Sequence, residues 1–187
     1  TFTGLVGSET LGQTVGSTFD NKNVGSNKTV TVNSIALADG TNGGLAANYS
    51  ISAGQTTTAN ITAKSLTVSG ITASNKIYDG NTVATLDSTS VTYSGLVSGD
   101  SFAGSYSGLF SDKNVGANKT VSITSSYSGS DVNNYTVTDQ SSTTADISTK
   151  VLTATASASN KTYDGATTAS TTLTFTGLVG SETLGQT

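Results

Sequence analysis

The sequence predicts an all-β protein, built as tandem immunoglobulin-like antiparallel β-sandwich repeats of about 85 residues in an elongated array. Three observations carry that expectation. Stretches of apolar or small residues alternating with hydroxyl residues recur along the chain, Gly, Asn and Asp cluster between them, and groups of motifs return at near-constant offsets.

Lys28–Ile35, Ser65–Ile71, Lys119–Ile123 and Val151–Ala156 carry the alternation. Period two puts one face of a strand inside and the other in water. Thr suits both demands, since its β-branched carbon favours extended backbone and its hydroxyl tolerates solvent. No stretch places apolar residues at helical spacing, so no helix is expected.

Asn23–Asn27, Tyr78–Asn81 and Ser128–Asp131 supply residues that tight turns demand. Six to eight short strands per repeat follow, joined into two packed sheets. The predicted core is Leu66, Val68, Ile71, Tyr78, Val83, Leu86, Leu96, Val97, Phe102, Phe110, Val115, Val121, Ile123, Tyr135, Val137 and Ile147.

Ser74–Gly80 returns as Ser159–Gly165 with one change, Ile77 to Thr162, at an offset of 85 residues. Gly4-Leu5-Val6, Lys22-Asn23-Val24-Gly25 and Asn27–Val30 return 91 residues later as Gly95-Leu96-Val97, Lys113-Asn114-Val115-Gly116 and Asn118–Val121. Asn48-Tyr49 returns as Asn134-Tyr135 at an offset of 86. The first copy therefore carries five additional residues, and Asp39–Gly44 is their expected seat. Residues 1–14 recur unchanged at 174–187, which lays a period of two repeats, 173 residues, over the shorter one.

The frame divides the chain into the C-terminal part of one repeat (1–64), a whole repeat (65–149) and the N-terminal part of the next (150–187). We refer to these as the first, middle and third segments. Adjoining chain or a neighbouring molecule is expected to cover the two flanking segments, because a partial core does not hold order alone.

Composition narrows the function classes. With no Cys, His, Met, Trp, Pro or Arg, thiol and imidazole chemistry, Cys/His zinc sites and guanidinium–phosphate forks are excluded from these residues. A net charge of −4 with eight scattered Lys argues against nucleic acid and anionic membrane as partners. No run approaches the roughly 18 apolar residues of a spanning helix, so no direct membrane insertion is expected here.

Lys76-x-Tyr78-Asp79-Gly80-x-Thr82, then Gly95-Leu96-Val97-x-Gly99-Asp100, Lys113-Asn114-Val115-Gly116, Asn134-Tyr135 and Ala145-Asp146-Ile147 form an ordered set. It resembles the YDG and related MBG repeats of bacterial surface proteins, with Lys161, Tyr163, Asp164 and Gly165 opening the next copy. The resemblance implies export to the bacterial cell surface in a filamentous-haemagglutinin-like adhesin, often by two-partner secretion. One departure stands out: Gly99-Asp100 is replaced by Ser8-Glu9 and Ser181-Glu182 in the outer copies.

The Tyr-Asp-Gly residues read as a core anchor followed by a turn. Lys76 and Lys161 read as solvated lysines at strand edges, with a Lys–Asn isopeptide crosslink beside a carboxylate as the alternative. Asp100, Asp112, Asp131 and Asp146 are candidate calcium ligands, although no Asp-x-Asp-x-Asp spacing supports them. No other cofactor is expected.

The function expected from sequence is a non-enzymatic structural stalk or fibre-forming region whose partners are neighbouring repeats or neighbouring copies in a fibre. The alternative is an adhesive module that recognises host or matrix glycan or protein through its loops, gaining strength from multivalency.

Overall fold

The computed structural model describes residues 1–185 as strands, turns and two short 3-10 turns, and no α-helix occurs among them. The chain is all-β, as the alternation predicts. Fifteen strands run in order: β1 (Leu11–Phe19), β2 (Gly25–Asp39), β3 (Thr56–Ile61), β4 (Lys64–Ser69), β5 (Thr72–Ala73), β6 (Lys76–Ile77), β7 (Val83–Ala84), β8 (Leu86–Asp87), β9 (Thr92–Ser94), β10 (Ala103–Phe110), β11 (Gly116–Ser128), β12 (Tyr135–Thr138), β13 (Ser142–Ser148), β14 (Thr153–Ala158) and β15 (Thr171–Thr176). The described residues group into two compact units, 1–65 with 130–136, and 66–129 with 137–185.

The first unit holds one antiparallel sheet in the order β1–β2–β3. Its turn between β1 and β2 spans 20–24, and β2 has already begun at Gly25. The expected turn over Asn23–Asn27 is therefore half strand. Asn27 takes φ 51° at a bulge between Gly25 and Lys28, and its N–H is accepted by Asn60 Oδ1 at 2.8 Å. The expected seat at Asp39–Gly44 is a loop from residue 40 onward, with Asn42 and Gly43 both at positive φ, while Asp39 closes β2.

The second unit repeats this pattern with more strands over it. Phe110 faces Val121 across β10–β11 as Phe19 faces Val30 across β1–β2. Lys119 faces Ala145 as Lys28 faces Ala59, and Asn118 makes the same bulge at φ 50°, capped by Asp146 Oδ1 at 2.7 Å. The five-stranded sheet runs β6–β13–β11–β10–β7, with β6 parallel to β13 and the other neighbours antiparallel. A three-stranded sheet β12–β4–β9, a short β5–β8 ladder and a β14–β15 hairpin complete the set.

The core sits in the second unit. Leu66, Val68, Ile71, Phe110, Val121 and Ile147 are buried there as predicted, and Tyr135, in the first unit, is buried as well. Val83, Val97 and Val115 are 62%, 44% and 49% exposed, which corrects their place in the predicted core. Val83 lies in a two-residue strand whose inward position is taken by Ala84, and Val97 and Val115 sit in loops. Ala84 and Ala145, too small to stand out in the sequence, are buried instead. The middle segment has ten strands, β4 to β13, against the six to eight expected, because four are two-residue bridges.

Candidate functional site

The Tyr-Asp-Gly segment is a turn stapled by an ammonium group. Lys76 leaves β6 pointing into the following loop, where its Nζ donates to Asp79 Oδ1 at 2.8 Å, Asn81 O at 2.8 Å, Val83 O at 3.1 Å and Asn81 Oδ1 at 3.2 Å. Asp79 Oδ1 also accepts the Asn81 N–H, and Asn81 Oδ1 accepts the Val83 N–H. The lysine side chain is only 16% exposed and lies 5.3 Å from the Phe110 ring centroid. The expected solvated lysine is thus corrected. Four loop carboxylate and carbonyl oxygens turn inward, and a single cation satisfies them.

The second copy of the motif is built alike. Lys161 Nζ donates to Asp164 Oδ1 and to Ala166 O, both at 2.8 Å. Here Ala166 stands where the middle segment has Asn81, so the staple forms without any amide for a crosslink. In both turns the lysine hydrogen bond holds the aspartate carboxyl below its usual range.

In the middle segment a second element docks on this turn. The Gly177–Glu182 loop is shaped by the Glu182 N–H donating to Val179 O at 3.1 Å, and the Tyr78 hydroxyl donates to the Glu182 carboxylate. Lys113 Nζ stands 3.5 Å from that carboxylate and 6.0 Å from the Tyr78 ring centroid. Val179 fits over Gly80, where an added Cβ would lie 2.8 Å from Val179 Cγ1, so the motif's glycine is required by contact as well as by φ 79°. Tyr78 holds the Glu182 carboxyl down and Glu182 pushes the Tyr78 hydroxyl up. Beside them, Val115, Leu152 and Val179 line an apolar hollow of about 210 Å³. By contrast Tyr163 is 94% exposed and nothing lies within 4 Å of a Cβ on Gly165.

The Lys-Asn-Val-Gly loops carry the remaining motif residues. In the second unit Asp112 Oδ1 accepts from Lys119 Nζ at 2.8 Å and from the Asn114 N–H at 2.7 Å, and Gly116 pairs with Ile147. In the first unit Lys22 Nζ meets Asp131 at 2.7 Å. The Val24 N–H donates to Asn134 Oδ1 at 2.9 Å, and Asn134 Nδ2 donates to Asn23 Oδ1 at 3.2 Å. Each loop's lysine therefore reaches an acid belonging to the following segment, Asp131 or Glu182. Sequence reading missed Glu182 as a partner because it lies 104 residues from Tyr78.

A family comparison then decides what the repeated motif is. The YDG domain matches residues 1–59 and again 62–145. The chain belongs to the YDG domain family. Searches of curated proteins and of solved structures found no match.

The calcium candidates do not converge in these YDG domains. Asp112 is taken by Lys119, Asp131 by Lys22 and Asp146 by the Asn118 N–H, while Asp100 closes its own turn on Val97. Among the described residues no three acids gather as metal ligands. The middle YDG domain also holds an aromatic cluster of which the predicted core named only Phe102. Phe102 packs 5.3 Å from Tyr93 and 5.1 Å from Tyr127, and the Tyr93 and Tyr106 hydroxyls meet at 3.0 Å. Burial, with Asp139 accepting from its hydroxyl, pushes Tyr127 up to about 12. Its counterparts in the first segment are Phe2, Leu11, Val15 and Leu37, which are apolar but mostly not aromatic.

Proposed function

We propose that the chain is a stretch of a structural stalk or fibre on a bacterial extracellular surface protein, with YDG domains as immunoglobulin-like sandwiches joined in an elongated array. The observation that carries this reading is that the motif residues Lys22, Lys76, Tyr78, Asp79, Gly80 and Lys113 are spent on holding the fold or joining one segment to the next. Lys76 and Asp79 staple a turn, Tyr78 and Gly80 receive Glu182 and Val179, and Lys22 and Lys113 meet acids of the following segment. Side chains committed in this way are not available to converge on a substrate. Modules linked by nearest-neighbour contacts extend reach at constant design, which is what a stalk needs. The partners are the neighbouring repeats, and the place of action is the cell exterior.

The test is solution scattering on proteins of one, two and three repeats, with antibody labelling of intact producing cells. A stalk gives a maximum dimension that grows by one domain length per repeat, and surface labelling without lysis. Compact particles that do not lengthen would sink the reading.

A further inference from the structure

We propose that Lys28 and Asn21 of the first YDG domain condense into an isopeptide bond, with Asp20 carrying the proton, so that a covalent link closes the β1–β2 hairpin. The bond goes beyond the stalk reading and does not depend on it.

The three groups that this condensation needs meet in and beside the turn 20–24. Lys28 follows the bulge in β2, and the stem of its side chain is pinned against Gly25, where an added Cβ would lie 3.3 Å from Lys28 Cδ. The side chain is 8% exposed, and its Nζ donates to Asn21 Oδ1 at 2.5 Å and stands 3.1 Å from Asp20 Oδ1. Asn21 Oδ1 also accepts the Asn23 N–H at 3.0 Å, and Asp20 Oδ1 accepts the Asn21 N–H at 2.9 Å. Amine, amide and acid are thus positioned by the backbone of the turn as well as by one another.

The same turn of the middle domain shows what is particular to this one. At the offset of 91, Lys119 stands for Lys28 and Asn114 for Asn23, but Asp112 stands for Asn21 and Ser111 for Asp20. Lys119, 11% exposed, donates to Asp112 Oδ1 at 2.8 Å. An ionised carboxylate resists attack by an amine, so that contact stays an ion pair. In the first domain an amide takes the carboxylate's place and the acid moves one residue back, which sets an electrophile against the amine and keeps a proton acceptor beside it. The Lys76 staple differs again. Its ammonium is shared among four oxygens, of which Asn81 Oδ1 is the farthest at 3.2 Å, and Lys161 makes the same turn with an alanine in place of that asparagine.

In the condensation Asp20 takes a proton from the Lys28 ammonium, and the freed amine attacks Asn21 Cγ. The new C–N bond forms as the carbonyl electron pair moves onto Oδ1, where the Asn23 N–H stabilises the negative charge. Asp20 then passes its proton to Nδ2, the Cγ–Nδ2 bond breaks, and ammonia leaves through the exposed turn, taking up the last proton of the lysine nitrogen. One secondary amide is made and one ammonium ion is lost, with no oxidant or other reactant. Fixed contact between the reacting groups replaces the catalyst that such an exchange needs in solution.

Intact mass spectrometry of the whole chain is the test. The protein should be lighter than its sequence mass by one ammonia. Trypsin acting on the denatured chain should release residues 1–22 still joined to residues 23–64 through Asn21 and Lys28, uncut after Lys28, while cleavage after Lys119 proceeds normally. Asn21→Ala and Asp20→Asn should each restore the full calculated mass. A chain at full sequence mass overturns the proposal, whatever scattering shows of the array. A deficit of one ammonia with normal cleavage after Lys28 is a succinimide at an asparagine and overturns it too, as does a deficit that survives Asn21→Ala.

Discussion

At the scale of single residues, the most consequential side chain is one that composition would class as surface decoration. Lys76 carries four oxygen contacts from a nearly buried position, whereas Lys161 makes the same turn with 39% of its side chain exposed. Lys76→Met should therefore lower the stability of the middle segment by about 2 kcal/mol, since charged hydrogen bonds are lost and loop oxygens are left inward. Lys161→Met should change little, as exposed ion pairs do. Urea denaturation of the two variants side by side checks the contrast. Acid should act through the same staples. Asp79 and Asp112 are held below the usual carboxylate range, first of all by their lysine hydrogen bonds. Their stabilisation is complete above the unfolded aspartate value of about 4 and fades as pH falls through the lower folded values. Melting temperature followed downward from neutral pH should drop in that window, and Asp79→Asn should flatten part of the drop.

At the scale of elements, the bulge that opens β2 and β11 is the feature that recurs most faithfully. Asn27 and Asn118 both sit in left-handed backbone, each N–H accepted by the side chain of the residue before the final Ile of the neighbouring strand, Asn60 or Asp146. A short polar side chain tolerates that conformation and a β-branched one does not. Asn118→Val should cost about 1–2 kcal/mol, and Asn118→Gly should be nearly neutral, measured by thermal unfolding. The strands themselves were legible, because Lys119-Thr-Val-Ser-Ile and Ser65-Leu-Thr-Val carry a period of two. The bulge was not. Asn-Lys after a Gly reads as turn chemistry, and only the register of β3 and β13 reveals that the strand has already begun.

At the scale of the whole molecule, two segments with matching strand pairing, apart from a bulge between Gly16 and Ser17 in the first, differ in what covers them. Phe110 is buried under Ala84, Leu86 and Tyr78, and Phe19 is not covered to the same degree. Phe110→Ala should thus destabilise the chain by about 3–5 kcal/mol, while Phe19→Ala costs a fraction of that. Calorimetry of both variants measures the difference. The pairing of Lys22 with Asp131 and Lys113 with Glu182 belongs to this scale too. Equivalent lysines meet acids that do not occupy equivalent repeat positions, so no offset could have matched them.

The sequence by itself determined the strand class, the repeat offsets and the family motif, because alternation, turn residues and near-identical blocks are local properties of the chain. It also marked Asp39–Gly44 as a loop, since added residues between strands leave the ladder untouched. The tertiary structure alone decided which valines leave the core, that Lys76 is a staple and not a solvated edge charge, and that Glu182 grips Tyr78. Those outcomes depend on which surfaces close over one another across tens of residues. Burial and charge pairing are properties of that closure.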